Sequence, residues 1–74
     1  MREEKCIAEN ITGYRKTYEM TQEEFAEGCN ISVDTVSNLE REIANPSLKM
    51  LQRIAKFMGI DMVQLCSRRT EIEQ

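Results

Sequence analysis

The chain has 74 residues, of which 31% are charged and 5% are aromatic, and its formal net charge is −3 with no histidine. A chain of this size makes one small domain with marginal burial, so a compact helical arrangement or self-association is expected. No apolar run approaches the ~18 residues of a membrane-spanning helix, and the mixed-charge start MREEK is not a secretory signal, so a cytoplasmic protein without a membrane contact is expected.

The first predicted helix covers residues 3–18. Apolar side chains recur there at the i, i+4, i+7 and i+11 positions of one face, namely Ile7, Ile11, Tyr14 and Tyr18. Arg15 lies beside this face. An unpaired guanidinium is costly at such a place, so Arg15 is expected to have an acidic partner.

Two short helices are predicted next, over about 22–29 and 33–41. Thr21 and Glu24 have the spacing of a capping box at the start of the first. Between the helices, Asn30 stands where the chain must turn, and asparagine tolerates the left-handed conformation. The inward-facing side chains of the pair are expected to be Phe25, Ala26, Cys29, Ile31, Val36 and Leu39.

The joint between these helices is short, because Ser32 can already cap the second helix two residues after Asn30. Two helices joined by so tight a turn are typical of a helix-turn-helix.

A loop over residues 42–46 follows, and Ile43 is expected to tuck under it. Ser47 can cap a fourth helix that runs to about Met58 and stops at Gly59. Its predicted inward stripe is Leu48, Leu51, Ile54, Ala55 and Met58.

Asp61 and Gln64 form a second capping box that begins a short fifth helix. The predicted organisation is a single domain over residues 1–66 and a tail over residues 67–74.

The motif Thr21-Gln22-x-x-Phe25-Ala26, followed by Ile31-Ser32-x-x-Thr35-Val36-Ser37-x-x-Glu40, closely resembles the phage-repressor and Cro type of helix-turn-helix, the Xre family. The similarity continues through Asn45-Pro46-Ser47 to Leu65 and covers roughly residues 7–66. It implies an all-α fold, a compact five-helix lambda-repressor-like bundle around a central helix-turn-helix.

The resemblance also implies roles for individual residues. In the family, an Arg of the first helix pairs with the Glu at the end of the recognition helix, and Arg15 and Glu40 occupy those places. The Gln at the start of helix two binds a phosphate in the family, and Gln22 matches it. Relatives often pair through helix five and the tail, where Met62, Val63, Cys66 and Ile72 are the apolar residues available.

DNA reading is the function that the motif favours, with the start of the second helix of the motif in the major groove. Asn38 can pair with adenine, Asp34 can accept from cytosine, and Val33 can touch a thymine methyl group. Asp34 is equally explained by the helix dipole, and Val33 by local packing. The remaining expected contacts are Ser32, Thr35, Ser37 and Arg41 on or beside this helix, and Asn45, Ser47 and Lys49 at the start of helix four.

Charge works against this reading. Residues 21–46 contain six acidic residues and one basic residue, whereas DNA affinity comes largely from neutralised phosphates. Two hypotheses therefore stay open. The first is a sequence-specific regulator, a repressor that binds a palindromic operator as a homodimer. The second is an acidic helix-turn-helix module, an anti-repressor or adaptor, that binds protein and not DNA.

Catalysis, cofactors and metals are not expected. The chain has no histidine base, no Gly-rich phosphate loop and no Cys-x-x-Cys spacing, and nothing indicates a small-molecule ligand. The three cysteines are widely separated and are interpreted as reduced, mostly buried thiols.

Overall fold

The computed structural model of the protein describes residues 2–67, with side chains from Lys5 onward. Its elements are α1 (Arg2–Thr17), α2 (Gln22–Cys29), α3 (Val33–Glu40), α4 (Leu48–Met58) and α5 (Met62–Leu65). The described residues contain five helices and no strand, as the all-α fold class predicted. Helices α1 and α3 each end one residue earlier than expected. The predicted tail, apart from Ser67, lies outside the described residues, as does Ile72.

Four of the helices begin at a side-chain cap that satisfies an amide with no partner inside the helix. Thr21 accepts from the Glu24 amide at 3.0 Å while the Glu24 carboxylate accepts from the Thr21 amide at 2.8 Å. Asp61 and Gln64 repeat this reciprocal arrangement at α5. Ser32 and Ser47 cap α3 and α4. The caps predicted from the sequence are confirmed.

Helices α1 to α4 end in the same way. After each one, a left-handed residue is followed by a residue whose amide donates back to the carbonyl five residues earlier, which is a Schellman motif. The left-handed residues are Glu19, Asn30, Glu42 and Gly59. The residues that follow them are all apolar, and their amides donate over 2.8 to 3.0 Å: Met20, Ile31, Ile43 and Ile60.

The core lies where α1, α2, α3 and α4 meet. Phe25, Ile11 and Ile54 are its largest fully buried side chains, with Leu65 and Val36 beside them. Aromatic rings close one side of it, since Phe57 contacts Phe25 edge-on at 5.5 Å and Tyr14 at 5.9 Å between ring centroids. Such pairs stabilise beyond the area they bury.

Helix α5 is attached to α1 by a buried asparagine. The Asn10 side-chain amide donates to the carbonyls of Leu65 at 2.7 Å and Ser67 at 2.9 Å. A four-residue helix cannot satisfy its own last carbonyls, so Asn10 supplies the missing donors. This contact fixes the direction in which the chain leaves α5.

Three apolar side chains do not lie where they were predicted, two of them from helical periodicity and one from its place in a loop. Tyr18 follows the end of α1 and is 63% exposed, although its ring contacts the Tyr14 ring with 4.6 Å between the ring centroids. Leu48, the first residue of α4, is 64% exposed, whereas Leu51, Ile54, Ala55 and Met58 of the predicted stripe lie in the core or against it. Ile43 is 62% exposed instead of tucked under its loop. Within the described part of the chain, no helix is both long and apolar enough to cross a membrane.

Candidate functional site

The outer face of α3 is the most organised polar surface around the turn. Val36 and Leu39 are buried and anchor the helix to the core. At helical spacing, the opposite stripe of α3 is formed by four polar residues, namely Asp34, Ser37, Asn38 and Arg41. Asp34 and Arg41 are exposed, whereas Ser37 and Asn38 are partly covered.

The amino end of α3 projects beside this stripe. Ser32 accepts from the Thr35 amide at 3.1 Å, and the two hydroxyl groups lie 2.7 Å apart. Val33 is exposed next to them. The Ser32 hydroxyl is therefore needed for the cap whatever else it touches, while Val33 and Asp34 face outward at the helix end that carries free amides.

An ion pair behind this face joins α1 to the end of α3 and to the loop after α1. The Arg15 guanidinium donates to both carboxylate oxygens of Glu40, through Nε at 2.7 Å and Nη2 at 2.9 Å. Nη1 of the same guanidinium donates to the Met20 carbonyl at 3.0 Å. The side chains are only 18% and 10% exposed, so this is a fork-to-fork contact largely removed from water. These are the two residues for which the family resemblance implied a pair.

The two charges adjust each other's protonation. Burial by itself would raise the pKa of Glu40, but hydrogen bonds from Arg15, Gln22 and Thr12 and the positive charge of Arg15 outweigh it and hold the pKa of Glu40 below its ordinary value. The hydrogen bond to Glu40 raises the pKa of Arg15. Both groups are therefore charged at neutral pH.

Glu40 also reaches the start of α2. The Gln22 side-chain amide donates to Oε1 of Glu40 at 3.3 Å, the oxygen that already accepts from Arg15. Gln22 was predicted as a phosphate contact. With one amide hydrogen directed at Glu40, the second remains for an outside acceptor. The sequence alone did not indicate this link between α2 and the end of α3.

Exposed basic residues lie on two other helices. Lys49 and Arg53 lie on α4, Lys16 lies near the end of α1, and all three are exposed. Asn45 and Ser47 are exposed before α4, where Ser47 caps the helix by accepting from the Met50 amide at 3.1 Å. Acidic residues are exposed just as openly, namely Glu23, Glu24, Glu27, Asp34 and Glu42.

The buried Cys29 thiol is not a reactive nucleophile in this structure. Burial raises the pKa of the Cys29 thiol to about 12, so the thiolate is absent at neutral pH. No group of three or more metal-ligating side chains comes together between residues 2 and 67. The α3 surface can donate and accept hydrogen bonds and can pack against a partner.

The family model described as helix-turn-helix matches residues 13–65, which contain α2, the turn, α3 and α4. The chain belongs to this helix-turn-helix family. The match spans well over half of the chain and includes both helices of the motif predicted from the sequence.

Similar proteins are regulators by name. The chain is 31% identical over 68 residues to an immunity repressor protein of Bacillus phage phi105, covering 92% of this chain and 47% of that protein. It is 38% identical over 47 residues to an uncharacterised helix-turn-helix-type transcriptional regulator of Methanocaldococcus jannaschii, covering 64% of this chain and 71% of the regulator. The chain thus spans about half the length of the phage repressor that it matches.

The fold has a counterpart among solved structures. The crystal structure of a hypothetical transcription factor from Neisseria superposes with a TM-score of 0.86 at 27% identity. The superposition covers 96% of this chain and 82% of that one, so the five-helix arrangement is shared nearly throughout.

Proposed function

We propose that this helix-turn-helix protein is a sequence-specific transcriptional repressor that binds a palindromic operator as a homodimer, with α3 in the major groove. The observation that carries the proposal is the polar stripe of α3, held rigidly from behind by Val36, Leu39 and the Arg15–Glu40 pair. A helix that reads DNA must keep one orientation in the domain, and this one is held on its inner face. The repressor name of the phage relative supports the same conclusion.

Within this proposal the exposed residues divide into two kinds of contact. Asn38 offers the donor and acceptor pair that matches adenine, Asp34 an acceptor for cytosine, and Val33 an apolar contact for a thymine methyl group. Ser37 lies in the same stripe. The backbone contacts are assigned to Gln22, Ser32, Thr35, Arg41, Asn45, Ser47 and Lys49.

The excess of carboxylates has a consequence for affinity. Each released counterion requires a neutralised phosphate, and the positive charges of the exposed Lys16, Lys49 and Arg53 are offset by exposed acidic side chains on α2. One copy is therefore expected to bind weakly and with strong salt dependence. Two linked copies recover affinity because the second half-site binds as an intramolecular step.

The dimer surface is assigned to α5. Val63 is 74% exposed and contributes nothing to the core, and Met62 and Cys66 lie in the same short helix and its end. The Asn10 side chain binds the end of this helix to α1, so the exposed Val63 side chain lies at a defined position on the domain. Val63→Glu is expected to shift the sedimentation mass from dimer to monomer. An unchanged mass would exclude Val63 from the contact.

A second candidate function has its own observation. Ile43 and Val33 are exposed at opposite ends of α3, and the carboxylates of Glu42 and Asp34 adjoin them. Carboxylates beside exposed apolar side chains suit a partner protein better than a phosphate backbone. The alternative is an anti-repressor or adaptor that uses the fold without DNA.

Selection from a random duplex library separates the two functions. Wild type, Asn38→Ala and the control Gln52→Ala are compared at low salt; Gln52 is exposed on α4, outside the stripe. Enrichment of paired half-sites about 10 bp apart, altered by Asn38→Ala and not by Gln52→Ala, is the expected result. Failure of the folded wild type to enrich any sequence would favour the protein-binding alternative.

A further inference from the structure

The Glu40 carboxylate is a largely buried acceptor whose capacity is in full use. Its side chain is 10% exposed, and its oxygens accept from the Arg15 guanidinium at 2.7 and 2.9 Å. They also accept from the Gln22 side-chain amide at 3.3 Å and from Thr12. A carboxylate has about four acceptor positions, so these donors from α1 and α2 hold it in one orientation.

Gln22 connects this carboxylate to the surface. It is the first residue of α2 and is partly exposed, between the exposed residues Thr21 and Glu23. A carboxylate has no hydrogen to give to an amide oxygen, so the nitrogen of the Gln22 amide must face Glu40. The two hydrogens of this planar group have fixed directions, and the bond to Glu40 therefore also sets the direction of the second hydrogen.

We propose that Glu40 is a positioning residue for DNA binding: it holds the Gln22 amide so that the second hydrogen is directed at a phosphate of the duplex. The inference rests on the proposed function, in which Gln22 contacts the DNA backbone. The first amides of α2 have no acceptor inside the helix and lie beside this side chain, so the same phosphate meets further donors. Arg15 anchors the arrangement by fixing Glu40 from the side of α1.

The charge around Gln22 explains why its orientation matters. Glu23 and Glu24 follow it directly, and both are exposed. The Glu24 carboxylate accepts from the Thr21 amide at 2.8 Å, which keeps its negative charge at the start of α2. A phosphate that approaches this helix end is repelled by both carboxylates and gains little by ordering a mobile glutamine. A donor that is already oriented avoids the entropy cost of ordering when DNA binds.

The test is a double-mutant cycle on DNA affinity. Wild type, Gln22→Met, Glu40→Met and the double variant are titrated on a duplex selected by the wild type, after far-UV circular dichroism establishes that each is folded. Gln22→Met keeps a long side chain with good helix propensity and removes the amide. In the wild-type background it should lower the affinity about tenfold or more for each bound copy, the effect of one hydrogen bond to a charged group. In the Glu40→Met background the loss should be about twofold or less, because that glutamine is no longer oriented.

The cycle separates a positioning role from a purely structural one. Glu40→Met also removes a negative charge and releases Arg15, but both effects are common to the two variants that lack Glu40 and cancel in the comparison. A Gln22→Met loss of equal size in both backgrounds would overturn the inference and leave DNA binding by the protein intact. A wild type that binds no duplex would overturn the proposed function and this inference with it.

A measurement on the wild type keeps the inference testable if Glu40→Met does not fold. The nitrogen heteronuclear NOE of a side-chain amide reports its motion on the ps–ns timescale. Gln52, which is exposed on α4, is the matched control. In the protein without DNA, Nε2 of Gln22 should have an NOE close to that of the helix backbone, and Nε2 of Gln52 a much lower one. A Gln22 amide as mobile as the Gln52 amide would contradict the positioning by Glu40.

Discussion

Removal of the Arg15–Glu40 pair should show how much of the stability of this small domain depends on one contact. Three variants complete a double-mutant cycle: Arg15→Met, Glu40→Met and the double replacement, in which methionine keeps a long side chain with good helix propensity. The pair makes two charge-assisted hydrogen bonds of 2.7 and 2.9 Å and is at most 18% exposed. It therefore resembles a buried pair more than a surface pair.

The magnitude follows from this environment. An exposed pair contributes ~0.2–1 kcal/mol, whereas loss of one partner of a buried pair costs about 3–5 kcal/mol, because the other charge is left without compensation. Allowing for the remaining exposure, each single variant should lose about 2–4 kcal/mol, and the coupling energy should be about 2 kcal/mol. The whole domain is expected to have only ~4–11 kcal/mol, from its 74 residues.

The assay is urea denaturation of all four proteins followed by far-UV circular dichroism. The coupling should also depend on pH. The fold lowers the pKa of Glu40, so the stabilisation is complete above the unfolded value of ~4.3 and is lost as the pH falls through the lower folded value. A coupling energy below about 0.5 kcal/mol at neutral pH would place this pair with exposed pairs and refute the reasoning.

Four other outcomes are expected. Gly28→Ala should destabilise by about 1–3 kcal/mol in thermal denaturation despite better helix propensity, because its Cβ would collide with the Phe57 ring; the loss should vanish in a Phe57→Ala background. Glu42→Gly should raise the free energy of unfolding, measured by urea denaturation, by about 1 kcal/mol, because φ is 62° at this position and glycine adopts it without strain. Glu42→Ala should not raise it. Cys29 should resist iodoacetamide at pH 8 until denaturant is added, as its pKa of about 12 implies. Lys49→Ala should reduce the salt slope of DNA binding by about one; an unchanged slope would remove Lys49 from the backbone contacts.

Local signals account for the parts of the fold that were predicted well. A cap requires a hydroxyl or carboxylate three residues before an amide, and a left-handed stop requires a residue that tolerates positive φ, so both are visible in a few consecutive letters. The caps at Thr21, Ser32, Ser47 and Asp61 and the stop at Asn30 were recognised in this way. The stops at Glu19 and Glu42 were not, because glutamate carries no such signal and adopts positive φ here only under tertiary constraint.

The candidate surface divides along the same line. Periodicity places Asp34, Ser37, Asn38 and Arg41 on one side of a helix and Val36 and Leu39 on the other, and the burial of the last two follows that division. Periodicity does not report how deeply a helix end enters the core, so the positions of Leu48 and Tyr18 were predicted wrongly. Both lie in terminal turns, where the distance to the neighbouring helices is set by tertiary packing.

By itself, the sequence determined the helix-turn-helix, its family and the polar stripe of α3, because caps, turns and 3.6-residue periodicity depend on residues that are neighbours along the chain. Only the tertiary structure decided what Asn10 and Ile43 do, and it showed that Glu40, whose pairing with Arg15 the family resemblance had implied, also accepts from Gln22. Glu40 joins Arg15 and Gln22 across 25 and 18 positions, and Asn10 reaches Leu65 across 55. Ile43 has the backbone bond of a buried helix end but a solvent-facing side chain. Such contacts depend on how helices distant in sequence are placed against one another, and no local pattern encodes that placement.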